Sequence, residues 1–323
     1  MSIASIALTS LAVIPVYYVV LPPLLAHLPK KAQFVGKLVV VLISTLIMSI
    51  VGCFVAVVFA LLNKRHAINY VVSRIFSYLA AYPCGVTFKI SGEENLKTSP
   101  AILVCNHQSS LDLMVLGRVF PTNCVVMAKR ELQYFPFLGL YMKLSNAIFI
   151  DRKNHKKAIE STTQAAADMK KHKSGIWIFP EGTRSRLDTA DMLPFKKGAF
   201  HLAIQAQLPV LPVVSVGYSH IYDSSKRSFP GGELEIRVLE PISTKGMTAE
   251  DVNSLMERTR EVMLKHLKEM DMAIKPQPQL STSSVKVIEE KTETRRAREE
   301  EVDKSTGTDV GEGVKKRKTA ARA

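Results

Sequence analysis

Two uncharged runs open the chain, and the pattern behind them is of another kind. No Asp, Glu, Lys or Arg occurs between Ser2 and Pro29, and a second uncharged run extends from Leu38 to Leu62. Each exceeds the about 20 apolar residues that a helix needs to cross a hydrocarbon layer. Residues 1–62 are therefore expected to form a membrane-embedded helical hairpin. The first run is the weaker, because Pro15 and the Pro22-Pro23 pair interrupt it and a kinked helix frees carbonyls that only neighbours satisfy in lipid. A re-entrant or interfacial helix is the competing arrangement. Cations stand both in the connector (Lys30, Lys31, Lys37) and after the second run (Lys64, Arg65), so charge alone does not orient two crossings. Insertion from one side would put both clusters on the same face. A cleaved signal peptide is disfavoured, since no cation precedes the apolar run and no small-x-small site follows it.

Between roughly residues 85 and 245 short apolar runs alternate with amphipathic stretches. Segments 101–106, 123–128, 147–150, 175–180, 210–214 and 234–239 have the length and β-branched content of buried strands. Segments 110–118, 155–171 and 196–207 read as the helices between them. That order predicts an α/β fold, a mostly parallel or mixed sheet flanked by helices, in a domain spanning residues 63–275. Ligand groups are then expected where strands run into helices. A last helix over 249–270 carries Val252, Leu255, Met256, Val262, Met263 and Leu267 at helical spacing, a packing stripe. Residues 276–323 are Pro, Gln and Ser rich and then alternate charge blocks, which predicts a disordered charged tail.

Composition narrows the classes. The 323 residues are 47% hydrophobic, enough for one sizeable core, and carry a formal charge of +14, which favours anionic partners. Four scattered cysteines without a C-x-x-C pair indicate neither a disulfide framework nor a zinc site, and a reducing compartment is the default. No metal site is expected. The core lacks a basic helix or an aromatic stacking array, so no specific nucleic acid is expected as a partner. The KKRK cluster in the tail reads most simply as solvated charge, with a nuclear address or a contact to anionic lipid as its alternatives.

Chemistry concentrates at strand ends. The string NHQSSLD places His107 after one strand and Asp112 five residues on. On a continuous helix the two would not share a face, so they meet only if His107 precedes the helix and Ser109 or Ser110 marks the break. Asp112 would then accept the imidazole Nδ1 proton and leave Nε2 free to take a proton from an alcohol. For an isolated H-x4-D a buried histidine and a capping aspartate remain the plainer reading. Cys105, in an apolar strand, reads as a packed thiol. NAIFIDR delivers Asp151 and Arg152 at another strand end; Arg152 suits bidentate phosphate binding, and a surface ion pair of Asp151 is the alternative. GIWIFPEGTRSR crowds Glu181, Gly182, Thr183, Arg184, Ser185 and Arg186 behind a buried strand, a loop able to surround a phosphate dianion. Lys196 and Lys197 at a helix start oppose the helix dipole and so suggest an anion nearby. LPVLPVV, with Pro209 and Pro212, reads as a bent apolar strand that lines an acyl channel or simply packs in the core.

Taken in order, NHQSSLD, NAIFIDR, FPEGTRS and LPVLPVV resemble the four sequence blocks of the glycerolipid acyltransferase superfamily, and most closely the 1-acylglycerol-3-phosphate acyltransferases. The resemblance covers about residues 60–245. It implies acyl transfer from acyl-coenzyme A to the 2-hydroxyl of lysophosphatidic acid, giving phosphatidic acid. It implies His107 as general base, Asp112 as its orienting acid, and Arg152, Glu181, Gly182, Thr183 and Arg184 as holders of the phosphorylated acceptor. The block around Pro212 is implied to serve the acyl donor. Acyl-coenzyme A is then a co-substrate, and no cofactor is expected. Ser185 and Lys196 join the substrate-binding set from the pattern itself. Membrane lipids are expected partners. The setting expected is the endoplasmic reticulum membrane, with the catalytic domain facing the cytosol, and lipid droplets are a further setting. Two rivals stand beside this reading: a sister enzyme for another lysophospholipid or glycerol-3-phosphate, and an inactive membrane lipid-binding protein.

Overall fold

The structure, a computed structural model, describes residues 16–151, 155–187 and 189–274. The start of the first apolar run with Pro15, the candidate Arg152 and the expected tail 276–323 lie outside the described residues.

Seven strands form one mixed sheet: β1 (Val86–Ser91), β2 (Ile102–Cys105), β3 (Cys124–Lys129), β4 (Ile148–Ile150), β5 (Gly175–Ile178), β6 (Val210–Ser215) and β7 (Gly232–Val238), in the order β1-β7-β6-β2-β5-β3-β4. The five strands from β6 to β4 run parallel; β7 pairs antiparallel with β6, and β1 parallel with β7. Every residue of β2, β5 and β6 is buried, because helices cover both faces, which is why these segments read as unbroken apolar runs.

Eight α-helices accompany the sheet in the described residues: α1 (Leu21–Ala26), α2 (Lys30–Leu61), α3 (Ile68–Ala81), α4 (Asp112–Val119), α5 (Leu138–Leu144), α6 (His155–His172), α7 (Gly198–Ala206) and α8 (Val252–Ile274). Leu103 and Cys105 share a core with Phe76 of α3 and Met114 of α4. Alternation turns Ile102 and Val104 to the other face, where α7 lies against β2. Gly117 lets α4 approach α3 backbone to backbone, since a Cβ there would run into the Ser73 carbonyl.

The described part of the N-terminal segment begins inside the first apolar run, at Val16. Pro22 and Pro23 lie in the first turn of α1, and a π-helical turn, Val16–Val20, runs directly into it, so the described helical stretch continues through the pair. Among the described residues α2 is the one helix long and apolar enough to cross a bilayer, and the apolar helical stretch before it is described from Tyr17 to Ala26. Because α2 begins at Lys30, the three lysines expected in a connector belong to the helix. Lys37 is buried: its Nζ donates to the Pro230 carbonyl at 2.9 Å and stands 5.3 Å from the centroid of the Phe229 ring. The helix is two-faced, with Phe34, Lys37, Val40, Ser44, Met48 and Gly52 inward and Val39, Leu42, Leu46, Ile50, Phe54 and Val57 outward.

Candidate active site

The parallel strands all end at one edge of the sheet, and β2, β5 and β6 bring their loops together there. Asn106, directly after β2, is buried and spans the gap to β6: its Nδ2 donates to the Ser215 carbonyl and its Oδ1 accepts from the Ser215 N–H, both at 2.9 Å. Gln108 Nε2 donates to the carbonyls of Ser215 (2.8 Å) and Val216 (3.2 Å). Residues 106 and 108 thus bind sideways to β6, which fixes the backbone that carries His107 between them.

His107 precedes α4 as the break near Ser109 requires, and Ser109 Oγ accepts the Leu111 N–H at 2.9 Å. The imidazole Nδ1 lies 2.5 Å from Asp112 Oδ2, which also accepts the backbone N–H groups of Gln108 (2.8 Å) and Ser109 (3.2 Å). A carboxylate with three donors converging on one oxygen assigns the proton to Nδ1 and leaves the lone pair on Nε2. The ring stacks on Phe179 with centroids 4.1 Å apart and planes at 19°. Asp112 is 2% exposed while the His107 side chain keeps 19% exposure, so the pair is dry on the acid side and open on the base side.

The second oxygen of Asp112, Oδ1, is buried with no donor in hydrogen-bonding geometry. The Tyr218 hydroxyl, 3.1 Å from Ser215 Oγ, faces this carboxylate; burial first, and then the charge of Asp112, pushes the phenol well above its ordinary pKa. Burial, reinforced by the carboxylates of Asp112 and Glu181, likewise holds the Cys105 thiol well above its usual range, so Cys105 is a packed, protonated thiol.

Glu181 does something other than face a ligand. It is 2% exposed, and its two oxygens accept the His107 N–H (2.6 Å) and the Leu193 N–H (2.9 Å). Burial pushes its carboxyl above the ordinary value, against the opposing effect of those two bonds and of the imidazole. Its place is that of a brace between the β2 and β5 loops. Ser185 adds to the brace, donating its N–H to the His107 carbonyl at 2.7 Å.

Gly182 has φ +73°, and a Cβ there would stand 3.4 Å from Lys196 Cγ, so the stem of Lys196 lies over the turn. The Lys196 N–H donates to the Pro180 carbonyl at 2.7 Å. Thr183, Arg184, Arg186, Lys196 and Lys197 are exposed, so four cations stand open to solvent on this loop and at the start of α7. A narrow cleft lined by Gln108, Ser185, Leu187 and Gly217 opens next to it. A wider hollow, bordered by Ile148, Phe149 and Gln164, lies away on β4 and α6 and holds none of these groups.

The structure therefore joins His107, Asp112, Glu181, Ser185, Gly182 and Lys196, with Thr183 and Arg184 on the same loop. Arg152 is outside the described residues; its neighbour Asp151 forms an ion pair with Arg130 at 3.0 Å, linking the ends of β3 and β4. Pro212 is buried inside β6, paired in register with Val104. Val210 donates to Ile242, so alternation turns the missing N–H of Pro212 to that same side, away from β2, where it removes no bond of the β2 ladder. Asn106, Gln108, Phe179, Ser215 and Tyr218 complete the site without having been singled out in the sequence.

Comparison with known proteins agrees with this geometry. The Acyltransferase family model matches residues 87–216. The 1-acyl-sn-glycerol-3-phosphate acyltransferase of Saccharomyces cerevisiae is 38% identical over 242 residues, covering 73% of this chain and 80% of that one. The human 1-acyl-sn-glycerol-3-phosphate acyltransferase alpha is 40% identical over 207 residues, 64% of this chain and 72% of its own. Among solved structures, the 1-acyl-sn-glycerophosphate acyltransferase PlsC of Thermotoga maritima superposes with a TM-score of 0.54 at 25% identity, over 71% of this chain and 97% of that one. With its dyad at the mouth of a mixed sheet and this degree of likeness over most of its length, the chain is an enzyme of the 1-acyl-sn-glycerol-3-phosphate acyltransferase family.

Proposed function

We propose that the protein acylates the 2-hydroxyl of lysophosphatidic acid with an acyl-coenzyme A donor, giving phosphatidic acid and free coenzyme A, and that His107 is the general base. The observation that carries the reading is the 2.5 Å contact between Nδ1 and a buried carboxylate, with the other ring nitrogen left on the open side of the site. Nε2 takes the hydroxyl proton as the oxygen attacks the thioester carbonyl carbon. Collapse of the tetrahedral intermediate breaks the C–S bond, and the imidazolium returns the proton to the departing thiolate. Asp112 steadies the imidazolium in between. A thioester is already activated, so positioning the alcohol and removing its proton are the main tasks. Arg184, Arg186 and Lys196 supply the positive field for the phosphate of the acceptor, Arg152 being a further candidate, and Gly182 supplies the close turn.

The donor and acceptor both carry acyl chains, and α2 gives the enzyme a place to meet them. Contacts hold α2 to the domain from Phe34, stacked 5.9 Å from Tyr222, to Cys53, 3.5 Å from the Phe137 carbonyl. That is about 28 Å of helix at about 1.5 Å per residue, close to the thickness of the hydrocarbon layer. A helix so held does not cross upright without drawing the domain in with it, which favours one-sided insertion with the outward stripe in the leaflet. The domain then stays on one face, for which the cytosolic side of the endoplasmic reticulum is the proposed setting. Trypsin acting on sealed vesicles tests this: cleavage at Lys30 or Lys31 from the domain side is expected, and protection there from that side would refute it.

The activity test is incubation of the vesicle-bound protein with lysophosphatidic acid and labelled acyl-coenzyme A, followed by lipid separation. Labelled phosphatidic acid is expected, and His107→Ala is expected to lower turnover at least ~100-fold. Full turnover in that variant would remove the base, and preference for an uncharged acceptor would remove the phosphate clamp. Other lysophospholipids and glycerol-3-phosphate, run in the same panel, define the acceptor.

A further inference from the structure

The segment that follows β3 presents an apolar surface that the reaction leaves unused. Tyr134 (69% exposed), Phe135 (57%), Phe137 (48%), Leu140 (52%) and Leu144 (36%) stand out from one short stretch of chain. Single exposed apolar residues are ordinary, but a concentrated aromatic patch marks a contact surface. Phe137 has φ +56° and ψ −52° in a γ-turn closed by a 2.5 Å bond from the Leu138 N–H to the Pro136 carbonyl, a strained backbone for a bulky residue. The ring of Phe137 at this turn is half exposed.

What covers the patch follows from where it is attached. The ring of Tyr141 presses on the bare backbone of Gly52 in α2, where an added Cβ would lie 2.6 Å from it, and Cys53 Sγ reaches the Phe137 carbonyl. Tyr141 also donates its hydroxyl to Asn69 Oδ1 at 2.9 Å. These contacts fasten the patch to the same two turns of α2 that carry the exposed residues Ile50, Phe54 and Val57. Exposed Lys64, Arg65 and Lys143 border them, the charge that anionic headgroups attract, and aromatic side chains at that level suit the boundary between headgroup and acyl chain.

We propose that residues 134–144 are a second membrane contact, a wedge that enters the same leaflet as α2 and packs its aromatic and leucine side chains against lipid acyl chains. The wedge leaves the end of β3 directly, and the Arg130–Asp151 pair ties it to the end of β4, so it stands at the sheet edge that carries His107. The proposal rests on the membrane contact of α2, and its test separates the two.

Trp177 is the only tryptophan of the chain and is fully buried, so an added indole is read against a constant background. Phe135→Trp and Leu140→Trp report on the wedge and Leu42→Trp on the outward face of α2, each in the full chain bound to phosphatidylcholine–phosphatidic acid vesicles. Expected is loss of most of the added emission when the acyl chains are brominated, and no loss with aqueous iodide, at all three positions. Quenching of Leu42→Trp by bromolipid together with quenching of Phe135→Trp and Leu140→Trp by iodide would overturn the wedge and leave α2 in the membrane. Quenching of all three by iodide would overturn the membrane contact of α2 as well. Protection of the wedge positions from both quenchers, with a mass that doubles with concentration, would assign the patch to a second copy and overturn the proposal.

Discussion

Asp112→Asn isolates the charge of the dyad from its geometry. In the wild type Oδ2 accepts from His107 Nδ1 and from the N–H groups of Gln108 and Ser109. Those two backbone donors do not tolerate an NH2 group in their place, so the amide oxygen must take the Oδ2 position. The proton then stays on Nδ1, Nε2 keeps its lone pair, and only the negative charge facing the imidazolium is lost. Replacing a charged acceptor by a neutral one removes about 1–2 kcal/mol of hydrogen-bond strength. A unit charge pair 4 Å apart at an effective dielectric of about 20 sets an upper figure of about 4 kcal/mol. About 3 kcal/mol between those limits corresponds to a ~10²-fold fall in kcat. Thermal melting should change little, because all three donors keep an acceptor. Asp112→Ala is the contrast: it leaves those donors without a partner in a site 2% exposed, at about 1–3 kcal/mol each, and should lower Tm sharply. The assay is turnover of labelled acyl-coenzyme A at saturating acceptor, alongside melting of both variants. Wild-type turnover in Asp112→Asn would refute the role of the charge, and equal destabilisation of the two variants would refute the argument that the backbone orients the amide.

Three further substitutions test the surrounding brace. Glu181→Gln leaves one acceptor oxygen for the two N–H groups of His107 and Leu193, and a stability loss of about 1–3 kcal/mol is expected in denaturant melts. Since burial raises the Glu181 carboxyl above its ordinary value of 4.5, its contribution to stability is complete below that value and is lost as pH rises through the raised one; a melt-versus-pH curve of Glu181→Gln should lack that fall, and an unchanged curve counts against the assignment. Tyr218→Phe removes the hydroxyl between Ser215 and Asp112; a loss of about 1 kcal/mol, about 5-fold in kcat with the acceptor KM unchanged, is expected, and a KM effect alone would move Tyr218 out of the support of the dyad. Gly182→Ala forces a side chain into φ +73° at about 1–2 kcal/mol, and should raise the acceptor KM more than it lowers kcat; the reverse pattern would place the turn at the dyad instead of at the phosphate.

The parallel strands were legible because both faces of the sheet are covered: β2, β5 and β6 are buried at every position and apolar but for Ser215 at the end of β6, and their boundaries lie within two residues of those expected. Elements whose signal depends on period were harder. Helix α5 has seven residues, too few for a repeat, and β1 is a short alternating edge strand beside β7. Helix α3 does carry a spaced stripe, Val72, Phe76 and Ala80, but it follows a long apolar run without a side-chain cap to announce its start. At the site, the spacing of His107 and Asp112 was ambiguous by itself, and only the neighbouring strings, read in order, favoured pairing over a buried histidine beside a capping acid; the 2.5 Å contact comes from the structure. Glu181 reads differently in sequence and in structure because residue type does not reveal which backbone N–H groups stand opposite its oxygens. Asn106 and Tyr218 carry no local signal, as their partners lie across the sheet order, on β6 and near α4.

One connection relates the membrane helix to the dyad. The β6–β7 loop starts at Val216, whose carbonyl accepts Gln108 Nε2, and passes through Tyr218 facing Asp112. Four residues on, Tyr222 stacks on Phe34 of α2 and packs edge-on against Phe229 at 5.2 Å, and the Pro230 carbonyl accepts Lys37 Nζ. The loop is closed on itself, with the Asp223 and Ser228 backbones paired and the Asp223 carboxylate accepting the N–H groups of Ser225 and Lys226. The strap thus links α2 to Tyr218 and Gln108 through an unbroken series of contacts. A lysine buried in an otherwise apolar helix is costly unless paired, and its one carbonyl partner belongs to this strap. Lys37 therefore registers α2 against the loop that supports the base. Through this loop α2 and the aligned pair of His107 and Asp112 belong to one packed unit.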